Sequence, residues 1–158
     1  MNSTVNLLNI AAEKYGNKIA YEDEWESISF IGLKEKAMII GTRLINEIKV
    51  NTPIAPVIVF IPKSVKSIVS FMGALYSGNP YVPIDSNSPQ SRLQKIINNL
   101  HPGAIITDSE HIGKFDGVDI GDAKIYLYDD ISNGRANLRL VEDKVNEVID
   151  TDPIYIMY

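Results

Sequence analysis

The sequence predicts an α/β fold with a mainly parallel sheet flanked by helices, and two patterns carry this prediction. Short apolar runs alternate with longer stretches whose apolar residues recur every three or four positions. The run 55–61 (APVIVFI) is apolar throughout, as is typical of strands in parallel sheets covered on both faces. Helical crossovers between such strands are right-handed. We find no repeat and no interdomain linker, and expect one domain or one lobe of a larger one.

The first predicted elements are two helices separated by a hairpin. Val5, Leu8 and Ala12 share one helical face in a segment that ends at Gly16. Residues 18–30 alternate imperfectly around the polar stretch 22–26, which indicates a hairpin. The next helix has apolar residues at helical spacing: Leu33, Ala37, Ile40, Leu44 and Ile48.

Alternating strands and helices continue to the end of the chain. One helix begins after Ser64, which we interpret as its N-cap, and ends near Gly78. Ser88 and Pro89 occupy the cap and first-turn positions of the next helix. Residues 108–122 are rich in glycine and aspartate. The predicted strands are 81–84, 103–108, 124–130 and 153–158, the helix after Ser88 covers 88–100, and 140–149 is a weak helix or an irregular lead-in.

Composition excludes several classes of protein. The chain has 158 residues, of which 15 are basic and 20 acidic, giving a formal charge of −5, whereas a nucleic-acid-binding domain is normally basic. It has no cysteine, which excludes a disulfide scaffold and a thiol nucleophile and fits a reducing cytoplasm. The N-terminus lacks the pattern of a signal peptide, and no apolar run reaches the roughly 20 residues that span a bilayer. We expect a cytoplasmic protein without a membrane span.

General catalytic motifs are missing from the sequence. It contains no G-x-S-x-G nucleophile elbow, no G-x-x-x-x-G-K-[ST] phosphate loop and no G-x-G-x-x-G fingerprint. His101 and His111 have no partner at ligand spacing, so we interpret each as a surface histidine. Ser86 and Ser88 would need a neighbouring base to act as nucleophiles, and the sequence offers none.

A few other side chains could bind a ligand, but each has a simpler interpretation. Asp129 and Asp130 follow a predicted strand, where ligands gather in open α/β sheets, and could hold Mg²⁺. A solvated turn is the favoured interpretation of this pair. Arg92 could bind an anion, but an arginine at the start of an amphipathic helix is more often a surface residue. Packing on strands explains the tyrosines Tyr126, Tyr128, Tyr155 and Tyr158.

Three stretches, in order along the chain, resemble the core motifs of the adenylate-forming (AMP-binding) enzymes. Residues 27–37 (SISFIGLKEKA) are similar to the first motif, and residues 152–158 (DPIYIMY) to the strand before the phosphate-binding loop. Residues 71–99, with Tyr-Val-Pro-Ile-Asp after a glycine turn, are similar to the second motif and carry the most specific match. This stretch resembles the amino-acid adenylation domains of nonribosomal peptide synthetases and the D-alanine–carrier-protein ligases. Asn79 and Pro80 depart from the small residues usual there.

The resemblance implies the N-terminal lobe of an adenylate-forming ligase fold. Residues 1–158 would be a partial N-terminal portion of an AMP-binding domain that ends just before the phosphate-binding loop. The full-length parent would use ATP and Mg²⁺ to activate an amino acid and load it onto a carrier protein. The family's nucleotide contacts, substrate pocket and catalytic lysine would all follow residue 158. The resemblance therefore assigns no catalytic, cofactor-binding or metal residue to this chain, which would be a scaffold that is inactive alone.

The resemblance also accounts for a proline and an acid in an apolar stretch. Pro83 donates no ladder hydrogen bond, which is harmless if residues 81–84 form a segment at the sheet edge. Asp85 would begin the exit turn as a cap or turn residue. The apolar strand 153–158 would lack its next neighbour, and unpaired edges template association. We therefore expect a homodimer through this exposed terminal strand.

A standalone, non-catalytic α/β module, of a binding or receiver-like kind, is the alternative. In that case Asp129 and Asp130 would form a phosphoacceptor or Mg²⁺ cluster. A receiver normally places its acid pair after the first strand, whereas this pair follows a late one. The sequence therefore favours the scaffold over the receiver.

Overall fold

The computed structural model describes residues 4–49 and 53–158. It confirms the predicted α/β class, because a four-stranded parallel sheet is flanked by helices. The elements in chain order are α1 (Thr4–Tyr15), β1 (Ile19–Glu22), β2 (Ser27–Ser29), α2 (Phe30–Glu47), β3 (Val57–Phe60), α3 (Val65–Tyr76), β4 (Tyr81–Pro83), α4 (Gln90–Leu100), β5 (Ala104–Thr107), a 3₁₀ helix (Ile112–Phe115), β6 (Lys124–Leu127), α5 (Tyr128–Ile131) and α6 (Leu138–Glu147).

The parallel sheet separates two apolar cores. Its strand order is β4-β3-β5-β6, and every residue of β3 and β5 is buried. Successive side chains of a strand point to opposite faces. Val57 and Val59 of β3 accordingly lie in the core under α2 and α3, while Ile58 and Phe60 lie in the core under α4. The continuous apolar run in the sequence reflects this double cover.

Helices α2 and α3 approach each other closely at Gly73. A Cβ atom at this position would lie 2.5 Å from Cγ2 of Ile40 on α2. Real Cβ atoms do not come that close, so a larger residue would push the two helices apart. Glycine at position 73 therefore sets the distance between the two helices that cover one face of the sheet.

Helix ends follow the cap residues with one small correction. Ser64 caps α3, and its side chain exchanges hydrogen bonds with Ser67 in a capping box. Gly78 follows α3 with φ of 75°, a conformation that favours glycine. At α4 the N-cap position is Pro89, and its helix begins at Gln90. Ser88 thus lies outside the cap, one residue before the N-cap position.

The predicted amphipathic face and hairpin near the N-terminus are confirmed. Val5, Leu8 and Ala12 are the buried residues of α1. Strands β1 and β2 form a separate antiparallel pair. Helix α2 buries Leu33, Ala37, Ile40 and Leu44, four of its predicted core positions.

Near the C-terminus, one predicted strand is confirmed but shorter than expected, and another prediction was wrong. The strand predicted over 124–130 ends at Leu127, and α5 follows at once, because Tyr128 and Ile131 are buried at helical spacing. Residues 153–158, predicted as a strand, make only one bridge, between Tyr155 and Tyr81. The segment covering residues 138–147 is a regular helix, α6. No helix in the described part of the chain is long and apolar enough to cross a membrane.

Candidate functional site

The carboxyl ends of the parallel strands lie along one side of the sheet, which we call the carboxyl edge. Open α/β folds bind ligands there. The four strands end at Phe60, Pro83, Thr107 and Leu127. The segments after three of these strands contain most of the side chains singled out from the sequence: Asp85, Ser86, Ser88, His111, Asp129 and Asp130. Their contacts decide what this edge can do.

Asp108 and His111 form a hydrogen-bonded pair within one turn. Oδ1 of Asp108 lies 2.7 Å from Nδ1 of His111 and also accepts the His111 backbone amide. The imidazole packs edge-on against Phe60, with ring centroids 6.2 Å apart, and its side chain is 19% exposed. The surface interpretation was therefore wrong for His111. His101 is exposed as predicted and ends α4 with φ of 50°.

The aspartate pair does not converge on a common site. Asp129 lies in α5 and accepts a 2.9 Å hydrogen bond from Nζ of Lys66 on α3, with the carboxylate 70% exposed. The Lys66 ammonium also lies 5.3 Å from the centroid of the Tyr128 ring. Asp129 and Asp130 are therefore helical, not in the predicted turn. Among the residues that the structure describes, no cluster of three or more His, Cys, Asp or Glu side chains could hold a metal.

Asp85 acts as the turn residue that the sequence predicts. Its Oδ1 accepts the backbone amide of Asn87 at 2.9 Å, and its carbonyl accepts the amide of Ser88 at 2.9 Å. Ser86 and Ser88 are both buried in this turn. Neither hydroxyl has a hydrogen bond to an acid or an imidazole within the described residues, so the structure provides no base for a nucleophile there.

The N-terminus of α3, which follows β3 at this edge, is already occupied by a carboxylate. Oδ2 of Asp23, in the hairpin, accepts the Val65 amide at 2.7 Å, while its Oδ1 accepts two amides of its own turn. These backbone hydrogen bonds, that of Val65 foremost, lower the pKa of Asp23. A helix N-terminus attracts anions, and Asp23 already supplies one. Sequence analysis missed this contact, which joins residues 42 positions apart.

The terminal segment, residues 153–158, runs along the side of β4 that faces away from β3. The amide of Tyr81 donates to the carbonyl of Ile154 at 3.2 Å, and the amide of Ile156 donates back to Tyr81 at 3.0 Å. Backbone groups alternate sides along a strand, so Pro83 is the next residue facing this segment. It has no amide to donate, and the pairing stops there. The prediction that 81–84 is a sheet-edge segment is confirmed, since β4 pairs only with β3 in the sheet.

A row of aromatic rings crosses from α3 to the terminal segment. Phe71 stacks on Tyr81 with ring centroids 4.4 Å apart, and Tyr81 meets Tyr155 at 5.9 Å. Burial, with a smaller contribution from Tyr155, raises the pKa of Tyr81. Tyr155 itself remains 55% exposed, so one side of its ring packs on Tyr81 while much of the side chain faces solvent.

Helix α4 contacts the other end of the terminal segment. Nη2 of Arg92 donates to the main-chain oxygen of Tyr158 at 3.3 Å, and Nδ2 of Asn99 donates to its Oη at 2.8 Å. Arg92 is exposed, as predicted. Its contact with Tyr158 went unpredicted because it joins residues 66 positions apart. The terminal segment is therefore held on two sides, by β4 through main-chain hydrogen bonds and by α4 through side-chain hydrogen bonds.

The remaining two tyrosines have packing or hydrogen-bonding roles. The hydroxyl of Tyr126 donates to Oε2 of Glu47 at 3.0 Å, and burial together with this bond raises the pKa of Tyr126 to about 12. Tyr128 is buried in the core under α2 and α3, and burial raises its pKa to about 12. Both are explained without a ligand, although Tyr128 lies on a helix and not on the predicted strand.

Comparison with solved structures identifies the fold. The structure matches a benzoate CoA ligase from Burkholderia xenovorans with a TM-score of 0.75 and 17% identity, covering 86% of this chain and 29% of the ligase. It matches the N-terminal subdomain of Klebsiella oxytoca NpsA with a TM-score of 0.69 and 15% identity, covering 86% of this chain and 33% of that one. The fold is that of the N-terminal subdomain of adenylate-forming enzymes.

The family follows from the sequence comparison. The model of the AMP-binding enzyme family matches residues 8–158, and the chain belongs to this family. It is 30% identical over 108 residues to a D-alanine–D-alanyl carrier protein ligase of Listeria welshimeri, covering 68% of this chain and 21% of the ligase. It is 27% identical over 148 residues to a linear gramicidin synthase of Brevibacillus parabrevis, covering 93% of this chain and 3% of the synthase. The predicted relation to adenylation domains and D-alanine ligases is confirmed.

The matched region is a small part of each relative. The chain spans 21% of the Listeria ligase and 3% of the gramicidin synthase.

Proposed function

We propose that residues 1–158 are the N-terminal scaffold of an ATP-dependent ligase that activates an amino acid and loads it onto a carrier protein. The observation that carries this proposal is the family match across residues 8–158. A relative named as a D-alanine–D-alanyl carrier protein ligase supports an amino acid and a carrier protein as the partners. A gramicidin synthase among the relatives supports the same chemistry.

The proposed scaffold ends just before the phosphate-binding loop of the complete domain. The resemblance of residues 152–158 to the strand before that loop supports this boundary. Two features of the described residues that could attract a phosphate or Mg²⁺ are already engaged by other groups. Asp23 fills the N-terminus of α3, and Asp129 is paired with Lys66. We therefore assign no catalytic residue to this chain and expect it to be inactive alone.

In the proposed ligase, the amino-acid carboxylate reacts with ATP to give an aminoacyl-adenylate and pyrophosphate, and a carrier thiol then takes the aminoacyl group. Catalysis of this kind depends on positioning and on neutralising phosphate charge. The contribution of residues 1–158 is positional, since their sheet and helices hold the terminal segment. A cytoplasmic location fits the absence of cysteine.

The receiver-like alternative has less support than the scaffold. A receiver holds its phosphoacceptor aspartate in a cluster of acids that binds Mg²⁺, whereas Asp129 is paired with Lys66 and no such cluster of three acids is present among the described residues. Magnesium-dependent labelling of the chain by a small phosphodonor would restore that alternative.

The proposal is tested by extending the chain. The gene is sequenced past codon 158, and the longer product is purified and assayed for ATP–pyrophosphate exchange with each amino acid in turn. We expect the reading frame to continue into a glycine- and hydroxyl-rich loop and the longer product to exchange pyrophosphate with at least one amino acid. A longer product that is folded but inactive with every amino acid would refute the proposed reaction.

A further inference from the structure

Two side chains of α4 hold the same residue of the terminal segment. Arg92 and Asn99 are seven positions apart, two helical turns, and therefore lie on one face of α4. Arg92 donates to the main-chain oxygen of Tyr158, and Asn99 donates to its hydroxyl. One contact reaches the main-chain oxygen of Tyr158, which in the 158-residue chain belongs to the terminal carboxyl group, and the other reaches its ring hydroxyl. Together they restrain both the backbone and the ring of this residue.

These contacts begin where main-chain pairing ends. β4 holds the start of the terminal segment through two hydrogen bonds, to Ile154 and from Ile156. Pro83 then interrupts the ladder. Within the described residues, no hydrogen bond between two main-chain groups involves Met157 or Tyr158. Without α4, the segment beyond Ile156 would have only side-chain packing to define its direction.

We infer that Arg92 and Asn99 are positioning residues that hold Tyr158 and so direct the chain into the phosphate-binding loop that follows it. The inference rests on the proposed function, because that loop belongs to the proposed complete domain. Neither side chain touches substrate in this account. Both act through Tyr158, as a support for the backbone that meets the phosphates.

This role differs from a contribution to global stability. Arg92 and Asn99 are both exposed, and Tyr158 is 45% exposed. Exposed polar contacts contribute little to the free energy of unfolding. Their removal should therefore loosen the terminal segment without lowering the melting temperature of the domain, whereas a merely structural role would show the opposite pattern.

The first test uses the 158-residue chain. Arg92→Ala and Asn99→Ala are compared with Lys95→Ala and Asn98→Ala, which remove the same kinds of side chain from α4 without contacting Tyr158. We expect hydrogen exchange at the Ile156 amide to rise about threefold to tenfold in the first pair. Exchange at Ile105 in β5 and the melting temperature should stay unchanged. Equal exchange at Ile156 in all four variants would overturn the inference.

The second test uses the longer product in pyrophosphate exchange. Arg92→Ala should raise the KM for ATP about tenfold or more, because small displacements of a binding backbone are costly. The KM for the amino acid should not change, and Arg92→Lys should recover part of the loss. If the wild-type product is active but Arg92→Ala and Lys95→Ala have the same KM for ATP, the inference is wrong. If the wild-type product is inactive, the proposed function fails, and the hydrogen-exchange result alone decides whether α4 holds Tyr158.

Discussion

Two stretches that the sequence predicts as strands, 103–108 (GAIITD) and 153–158 (PIYIMY), differ in the structure. The first forms β5, which is wholly buried and pairs with β3 on one side and β6 on the other. The second makes one bridge to β4, and Met157 within it is 68% exposed. An apolar pattern thus predicts the capacity to form a buried strand. Whether the strand forms depends on neighbours that supply hydrogen bonds and cover.

The physical difference lies in the partner strands. β5 faces backbone on both sides, and its last residue adds a 3.0 Å hydrogen bond from the Thr107 hydroxyl to the Phe60 carbonyl. The terminal segment faces β4, where Pro83 withholds the next donor. The same chain therefore contains a completed strand and an incomplete one, and substitutions can separate the two.

Shortening a side chain in each stretch should give the largest contrast. Ile105→Ala removes a fully buried side chain of β5 and should lower the free energy of unfolding by about 2–5 kcal/mol. Ile154→Ala is the matched control in the terminal segment, where the side chain is 45% exposed, and should change it by about 0.5 kcal/mol or less. Urea denaturation measures both, and similar losses would show that the terminal segment is as well covered as β5.

The incomplete edge should also associate. We expect the 158-residue chain to dimerise at high concentration, because the terminal segment exposes an unpaired apolar edge. Tyr155→Glu should weaken this association at least about tenfold, or about 1.4 kcal/mol, while Leu7→Glu places the same charge on the exposed face of α1 as a control. Sedimentation equilibrium gives the dissociation constants. A strictly monomeric wild-type chain would contradict this expectation.

The carboxylate of Asp23 links the hairpin to α3, and the stability that it contributes should depend on pH. The folded chain lowers the pKa of Asp23, so this contribution to stability is complete above the unfolded pKa, about 4. It is lost as the pH falls through the lower folded value. Asp23→Asn should therefore be less stable than the wild type near neutral pH, and the difference should shrink in acid. Glu24→Gln on the same hairpin is the control.

That prediction is checked by urea unfolding at about pH 6 and about pH 2.5, above and below the unfolded pKa of about 4. A difference between wild type and Asp23→Asn that stays constant across this range would mean that the hydrogen bond to Val65 does not stabilise the folded chain.

Restoring a backbone donor at the edge should produce the smallest effect. Pro83→Ala supplies an amide on the side of β4 that faces the terminal segment, so pairing can extend by one hydrogen bond. We expect exchange at the Ile156 amide to slow by about threefold, with Ile105 as an internal reference. Unchanged exchange at Ile156 would indicate that something other than Pro83 ends the pairing.

Local features were the ones that the sequence could predict. The buried face of α1, the Ser64 cap and the edge position of Pro83 depend on residues a few positions apart or on backbone chemistry. The family resemblance depends on motifs spread along the chain, and the match over residues 8–158 confirms the family.

Long-range contacts were the ones that the sequence could not predict. Asp23 reaches across 42 positions to α3, and Arg92 reaches across 66 to Tyr158. Only the folded sheet brings these groups together. For Asp129 and Asp130, turn-favouring residues were outweighed by the burial of Tyr128 and Ile131, which drew the segment into a helix.

The incomplete strand at residues 153–158 fits the proposal that the chain is a scaffold completed by residues beyond 158. The most direct test is ATP–pyrophosphate exchange by the purified 158-residue chain, with the longer product of the same gene as the positive reference. The account predicts no exchange by the 158-residue chain with any amino acid and clear exchange by the longer product. Robust exchange by the 158-residue chain would contradict it, because an active site would then lie within residues to which we assign none.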